Sequence, residues 1–375
     1  MFWNEIRTPA ALVDLDRVEA NTSRISERVR LLGAKLRPHV KTHKCVEAAR
    51  LQVRGHFGGI TVSTLAEARF FARAGFRDIT YAVPIAIDRL EEAVEIGRSV
   101  DALNLLLDHE ATFEAMRACA RAQGVRLSSF LKVDCGYHRA GVDPEKDESV
   151  ALALRMATSP EVDFRGILTH AGHSYHAANG ERIRAVAESE RSVMVRFAGK
   201  LTRAGAPPPE VSVGSTPTIS LGESLEGITE ARPGNYVFYD RFQAAIGSCE
   251  IASAAFSVLA TALGHYPERN EILIDAGGLA LSRDEGPTHL DASCGYGAVF
   301  SADGRTHIAS LRVRSLSQEH GKIEGETPID YRAFPIGAKL RIVPNHSCLS
   351  AALFDSYYVY RGNDVVEEWR PVRGW

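Results

Sequence analysis

Through the first two-thirds of the chain, short runs rich in β-branched and aromatic residues alternate with longer stretches in which apolar residues recur every three or four positions. The short runs predict strands at Lys35–Val40, Gly59–Val62, Ile79–Val83, Leu103–Leu107, Ser129–Val133, Phe164–Thr169, Glu210–Val213 and Tyr236–Tyr239. The longer ones predict helices over Arg17–Leu32, Thr64–Ala74, Asp88–Arg98, His109–Ala122, Glu148–Ala157 and Glu181–Ala204. Strands that alternate with helices pair in parallel, because the helix supplies the crossover. Eight of them suggest an α/β fold of the TIM type, a (β/α)8 barrel over residues 10–245. An open doubly wound sheet is the alternative, but no GxGxxG follows an early strand to support it. Beyond about residue 245 the helical period disappears. AAFSVLATALGHY, EILIDAGG, THIASLRVRSLSQEHG, AKLRIVPNHSCLS and SYYVYRGNDVVEEW are β-rich, with turn residues between them. They predict an all-β second domain over residues 246–375, without a convincing helix.

Composition narrows the function classes. Of 375 residues, 45% are apolar and 24% charged, which suits an ordinary globular protein. A net charge of -3 argues against a nucleic-acid partner, which would demand a basic excess. The opening MFWNEIRTPAALVDLD has acids and a Pro where a secretory signal has its apolar core, and no run reaches membrane-spanning length. The six cysteines contain no CxxC pair, so neither a disulfide framework nor a structural zinc knuckle is expected. The expected address is cytoplasmic and the expected partner a small molecule.

The most informative segment is Lys35-Leu36-Arg37-Pro38-His39-Val40-Lys41-Thr42-His43-Lys44. Alternation on a strand puts Lys35, Arg37, His39, Lys41 and, if the strand runs that far, His43 on one face, with Leu36, Pro38 and Val40 on the other. If the apolar face packs on helices, the basic face points into the barrel, where unpaired charge is costly. An anionic cofactor at the C-terminal mouth resolves this. A lysine among other cations has a lowered pKa and suits a Schiff base. Lys41 is preferred over Lys44, which has the opposite parity. A solvated edge strand is the bland alternative.

Three further segments carry chemistry. Val213-Gly214-Ser215-Thr216-Pro217-Thr218 runs from a strand into a turn whose small residues and hydroxyls suit a phosphate, although an ordinary turn has the same composition. It lacks the Lys of a P-loop, which disfavours ATP. Lys132-Val133-Asp134-Cys135-Gly136-Tyr137-His138-Arg139 offers an Arg to a phenolate oxygen, and in Arg232-Pro233-Gly234-Asn235-Tyr236 the Gly permits close backbone approach. His170, His173 and His176 are spaced as on a helical face, but Gly172 and the preceding strand argue for a loop of pocket-lining groups rather than a metal site. Finally, His346 and Cys348 follow a strand two residues apart, so an extended backbone turns both to one side. Imidazole plus thiolate suits zinc, and two ligands leave the open positions of a catalytic site. A buried Cys beside a surface His is the plainer reading.

Taken together, RPHVKTHK, VSTLAEARFF, VDCGYHRAGV, VGSTPT, TEARPGNYVFYD, LSQEHG, VPNHSCLS and RPVRGW resemble the fold-type III pyridoxal-phosphate (PLP) enzymes, most of all the D-serine dehydratase / D-threonine aldolase family. They keep their order over nearly the whole chain. The resemblance implies an alanine-racemase-like barrel, and a β-domain that also takes up residues 1–9. It implies a homodimer with its active site at the domain and subunit junction. It implies Lys41 as the Schiff-base lysine and Arg139 on the ring oxygen. Tyr175, Gly214, Ser215, Thr216, Gly234 and Asn235 would hold the cofactor, and His346 and Cys348 would bind Zn2+. Arg232 is a weaker candidate for the pyridine nitrogen. The reaction implied is β-elimination from D-serine to pyruvate and ammonia. Alternatives on the same scaffold are a D-threonine or 3-hydroxyaspartate aldolase, a 3-hydroxyaspartate dehydratase, an amino-acid racemase and a non-catalytic PLP carrier. Two departures from the dehydratase pattern, Leu168 in place of Tyr and His173-Ser174-Tyr175 in place of Asn-Thr-Tyr, bear on the substrate.

Overall fold

The computed structural model describes residues 2–375. The chain divides into two units: Arg24–Gly234 with Val372–Trp375, and the chain up to Ser23 with Asn235–Pro371. Strand β1 (Ala10–Asp14) belongs to the second of these. The first unit is built on β2 (Lys35–Leu36), β3 (Ile60–Val62), β4 (Asp78–Pro84), β5 (Ala102–Leu107), β6 (Leu127–Lys132), β7 (Val162–Leu168), β8 (Glu210–Val213) and β9 (Glu230–Ala231). These eight lie in the order β2-β9-β8-β7-β6-β5-β4-β3, every neighbouring pair parallel. A parallel bridge between His39 and Thr61 brings the two end strands together, and the Thr61 N–H donates to the Pro38 carbonyl at 2.8 Å. The result is the TIM-type barrel that the alternation predicts.

The helices are α1 (Leu15–Leu31), α2 (Val46–Val53), α3 (Leu65–Arg73), α4 (Leu90–Gly97), α5 (Glu110–Gln123), α6 (Asp147–Thr158), α7 (Gly180–Arg203) and α8 (Thr216–Leu221). Their ends have local causes. The Thr64 hydroxyl and the Asn179 amide oxygen accept the first orphan N–H groups of α3 and α7, and Gly124 ends α5 at φ +61°. Among the described residues no helix is long and apolar enough to cross a membrane.

The barrel interior is partly polar. Arg37 is buried and clasps Glu230 at 2.6 Å and Asp78 at 2.7 Å. Ser212 donates to the same Glu230 at 2.5 Å, and Asn104 to Asp78 at 2.9 Å. Burial alone would lower the Arg37 pKa, but the two carboxylates reverse that and raise it. Removing one member of such a buried pair costs about 3–5 kcal/mol, so this network is part of the structural frame. Above it, Leu106, Phe130 and Leu168 from three adjacent strands form an apolar cluster.

Several expectations need correction. The basic face of the first barrel strand does point inward, but β2 spans only Lys35–Leu36, and Lys41 lies on a 3-10 turn, Val40–Thr42. Strand parity therefore does not extend to Lys41. Arg37 is neutralised by carboxylates rather than by a ligand, and Lys35 pairs with Glu210 at the barrel's outer rim. His43 is buried beside Gln52 of α2, at 2.9 Å, outside the inward set. The eighth strand is Glu230–Ala231, not Tyr236–Tyr239; the apolar run Tyr-Val-Phe-Tyr is buried but begins with a 3-10 turn, Asn235–Val237. Pro233, which has no N–H for a ladder, follows that strand and ends it. Burial, not strand geometry, explains the run.

The second unit is a nine-stranded sheet of β1 with β10 (Phe256–Tyr266), β11 (Glu271–Ile274), β12 (Gly297–Phe300), β13 (His307–Leu316), β14 (Gly321–Gly325), β15 (Lys339–Pro344), β16 (Tyr357–Arg361) and β17 (Asp364–Trp369). Its order is β11-β14-β13-β12-β15-β10-β1-β16-β17, and β11 also pairs with β10, so that β10–β15 close on themselves. β1 runs antiparallel to β10 and parallel to β16. Trp3, Ile6, Leu12, Leu259 and Tyr360 pack together, and the Arg341 guanidinium lies 4.5 Å from the Trp3 ring and 4.4 Å from Tyr360. This confirms an antiparallel β-domain, but three short helices that the sequence reading did not expect interrupt it: α9 (Arg241–Ala245), α10 (Gly278–Leu281) and α11 (Ser347–Ala351).

Candidate functional site

In the barrel unit, the C-terminal ends of the strands carry a cluster of cations. Lys41 follows His39, whose Nδ1 accepts the Lys41 N–H at 3.4 Å. Lys41 makes no ion pair among the described residues, whereas Lys44, at φ +55°, is paired with the buried Glu67 at 2.9 Å. At the end of β6, Lys132 is buried and makes no ion pair among the described residues; burial and the neighbouring Arg232 lower its pKa to about 8. Arg232 is buried too, donating to Ser212 Oγ and the Thr169 carbonyl, and its pKa falls to about 10 through burial. Arg139 is exposed and lies over the Tyr137 ring at 5.1 Å. His39 and His170 are pushed well below the usual imidazole range, first by burial and then by the charge of Lys41. Both are therefore neutral in this company. His170 Nδ1 is 2.8 Å from the Gly214 carbonyl and can only donate to it, which leaves Nε2 as a lone-pair acceptor.

The hydroxyl-rich turn adjoins this cluster. Gly214 takes φ +133°, and a Cβ there would stand 2.9 Å from the Arg232 nitrogen. Ser215 caps α8 together with Thr218, and its Oγ is 2.9 Å from Ser174 Oγ. The Gly234 N–H donates to Thr216 Oγ1 at 3.3 Å, and a Cβ on Gly234 would meet the His39 carbonyl at 2.7 Å. The structure thus brings Gly214, Ser215, Thr216 and Gly234 together with the turn that carries Lys41. Tyr175 lies on a 3-10 turn, Gly172–His176, where the sequence reading expected a loop. Gly172 is needed there because a Cβ would strike Tyr137 at 2.2 Å.

These residues fit an anionic, phosphate-bearing cofactor. Lys41, Lys132, Arg139 and Arg232 meet two buried acids, Glu190 and, beside Arg232, Glu230, which Arg37 already engages, so the mouth carries surplus positive charge. Ser174, Ser215, Thr216 and Thr218 supply hydroxyls, and His173 Nδ1 is buried without a hydrogen-bond partner.

In the β-unit, His346 and Cys348 sit where β15 turns into α11. His346 Nδ1 is 3.2 Å from Asp284 Oδ2, which turns Nε2 outward as a ligand. Burial works against the His346 charge, but Cys348 and Asp284 outweigh it and hold its pKa well above the ordinary value. Asn235 lies here: its Nδ2 donates to Asp240 Oδ2 at 2.8 Å and Ser347 Oγ at 3.0 Å, with Cys348 Sγ at 3.6 Å. Among the described residues no group of three or more His, Cys, Asp and Glu is arranged to hold a metal, in either unit. The donor set is instead a pair, soft sulfur plus imidazole, backed by a carboxylate; zinc with open positions suits it.

Comparison with known proteins identifies the chain. Residues 13–241 match the family described as alanine racemase, N-terminal domain, and residues 255–360 match the putative serine dehydratase domain. The chain belongs to the serine dehydratase branch of the fold-type III PLP family. It is 40% identical over 373 residues to the D-threo-3-hydroxyaspartate dehydratase of Delftia sp., covering 98% of each chain. The solved structure of that enzyme superimposes with a TM-score of 0.95 at 39% identity, covering 100% of both chains. The D-serine dehydratase of Dictyostelium discoideum is 38% identical over 394 residues, covering 99% of this chain and 98% of the other. A cysteine-to-alanine variant of a D-threo-3-hydroxyaspartate dehydratase in its metal-free form superimposes with a TM-score of 0.95 at 38% identity, covering 100% of both.

Some residues in this serine dehydratase relative escape sequence reading. Lys132 is visible in the segment that offers Arg139, but only the structure shows that it is buried, with no ion pair among the described residues. Asp284 lies 62 positions from His346 in a stretch without periodicity, and nothing in the sequence marks it as that residue's partner. Glu190 reads as one more acid on a long polar helix, yet it is 2% exposed.

Proposed function

We propose that this protein is a PLP- and zinc-dependent lyase that eliminates the β-hydroxyl of a D-amino acid, converting D-serine to pyruvate and ammonia. The observation that carries the reading is the His346–Cys348 pair oriented by Asp284, on a chain that matches dehydratases end to end. A leaving hydroxide is poor without a Lewis acid, and a thiolate–imidazole pair supplies the place for one.

When bound, PLP delocalises the negative charge that develops at the substrate Cα. The remaining work falls to the chain. Lys41 is the cofactor-binding lysine and then the base that removes the Cα proton; that it makes no ion pair among the described residues, unlike Lys44, suits both tasks. Ser215 and Thr216 hold the phosphate, Gly214 and Gly234 let the backbone approach, and Tyr175 and Arg139 complete the cofactor's surroundings. Lys132, buried among cations, would be neutralised by an anionic group of the bound cofactor. The neutral His39 and His170 withhold further positive charge from Lys41. His346 and Cys348 would hold zinc, which would supply the Lewis acid that a leaving hydroxyl needs, and Asn235 and Asp284 would fix their orientation. The metal-free form of the dehydratase variant supports a metal in this branch.

A homodimer and a cytoplasmic address belong to the same reading. Among the described residues none of the six cysteines forms a disulfide, which suits a reducing compartment. A barrel of residues 10–245 and a β-domain of 246–375 with 1–9 remain the proposed domain limits. The similarity to D-threo-3-hydroxyaspartate dehydratase favours a second substrate, 3-hydroxyaspartate, in the same elimination. A panel of D-serine, D-threonine and D-threo-3-hydroxyaspartate, scored for keto acid, ammonia and glycine, tests the reading. Keto acid and ammonia in equal amounts support it, whereas glycine with an aldehyde from every substrate makes the protein an aldolase.

A further inference from the structure

The inner face of α7 is apolar at Ile183, Met194, Phe197 and Leu201, and charged at one buried position, Glu190. An ionisable group so placed costs several kcal/mol unless it is well partnered. Glu190 Oε1 accepts two backbone N–H groups at once, from Ala171 at 3.0 Å and from Gly214 at 3.1 Å. These belong to the loops that leave the adjacent strands β7 and β8. The Thr218 hydroxyl also bonds the carboxylate, and buried Arg232 offsets its charge. The same two loops are joined on their other side by His170 Nδ1 to the Gly214 carbonyl at 2.8 Å and by Ser174 Oγ to Ser215 Oγ at 2.9 Å.

The arrangement has a clear consequence. An acid beneath a phosphate loop repels the phosphate, so its place there calls for a reason, and the two backbone N–H groups that its oxygen accepts supply one. Here it anchors the start of the loop. The Gly214 N–H faces Glu190 and is therefore not a phosphate donor; it fixes the φ +133° bend that aims Ser215 and Thr216. We propose that Glu190 is a positioning residue for the phosphate of PLP, acting through the Gly214 and Ala171 backbone. The inference rests on the reading of Gly214–Thr216 as the phosphate loop.

The test compares reconstitution with PLP and with pyridoxal, which lacks the phosphate. Glu190→Ala should weaken PLP by about 10- to 100-fold, the range in which loss of an outer partner acts on a bound ion. Pyridoxal should change by no more than about threefold, because it makes no use of the loop. Glu190→Gln keeps an acceptor oxygen in place and should retain most of the PLP preference. Glu190→Asp withdraws the oxygen by one methylene and should lose much of it. Amide exchange over residues 169–176 and 211–218 should quicken in the Ala and Asp variants but not in Gln. Equal weakening of PLP and pyridoxal in Glu190→Ala, or an unchanged ratio in both Ala and Asp, would overturn the proposal. If Glu190→Ala fails to fold, the Gln–Asp comparison alone decides in the same way. Ser215→Ala separates the two layers of argument. If it leaves the PLP-to-pyridoxal ratio unchanged, the phosphate-loop reading is wrong. If it lowers that ratio while the Glu190 variants do not, only the Glu190 inference fails.

Discussion

Lys44 is held by Glu67 at 2.9 Å, while Lys41, one turn earlier, makes no ion pair among the described residues. The two lysines are close in sequence and differ in what their ammonium groups are already doing. Glu67 is buried, so its pairing with Lys44 is part of the structure of α3 and not readily given up.

Substitution separates them. Lys41→Ala should abolish the yellow absorbance of the bound cofactor along with activity. Lys44→Ala should keep the absorbance and lower thermal stability, since it leaves a buried carboxylate without its partner. Loss of absorbance in Lys44→Ala with retention in Lys41→Ala would reverse the assignment.

Much of this site was legible in the sequence, for reasons that differ by residue. The small and hydroxylated residues at 214–216 announce close backbone approach, and the structure gathers them. His346 and Cys348 were visible as a pair because two ligand types stood two residues apart. Strand parity points to Lys41 for a reason that holds only in part: the strand stops at Leu36, and a 3-10 turn carries the lysine. The inward face was real for Arg37, but its partners, Glu230 and Asp78, lie on other strands, and long-range ion pairs leave no mark on spacing. The eighth strand was misplaced because a buried apolar run has the same composition whether it pairs or turns. α8 was missed because its capping residues are also those of a phosphate turn.

Lys132 sets a pH dependence. Burial lowers its pKa first, and Arg232 and Arg139 add to this, while Cys135 and Glu190 oppose it; the outcome is about 8. The folded value lies below the unfolded one, so the unfolded chain holds the extra proton between about pH 8 and 10.5. The buried lysine therefore costs stability below pH 8, and this cost is relieved as pH rises toward 10.5. Lys132→Met should raise the Tm of the cofactor-free protein at pH 7, with the advantage shrinking across that window, and should weaken PLP binding about tenfold or more. In the wild type, PLP affinity should decline as pH rises above 8. A Tm that falls in Lys132→Met at pH 7 would show that the ammonium is already satisfied without the cofactor.

Asp284 orients His346 and leaves Cys348 untouched. Asp284→Ala should reduce zinc affinity by about 10- to 100-fold, as loss of a carboxylate behind a histidine ligand does elsewhere. Bound PLP should be unaffected, because every residue assigned to the phosphate lies on the barrel strands' loops. Competition with a chromophoric chelator measures the first quantity and cofactor absorbance the second. Unchanged zinc affinity would leave the carboxylate with a packing role alone.

The most direct test of the account is turnover of D-serine and D-threo-3-hydroxyaspartate by one preparation before chelation, after it and after zinc is returned, with keto acid, ammonia and glycine all quantified. The account predicts keto acid and ammonia in equal amounts from the loaded enzyme. It predicts loss of that turnover on chelation with the cofactor absorbance retained, and recovery with zinc. An undiminished rate in the metal-free protein, or glycine as the dominant product, would contradict it.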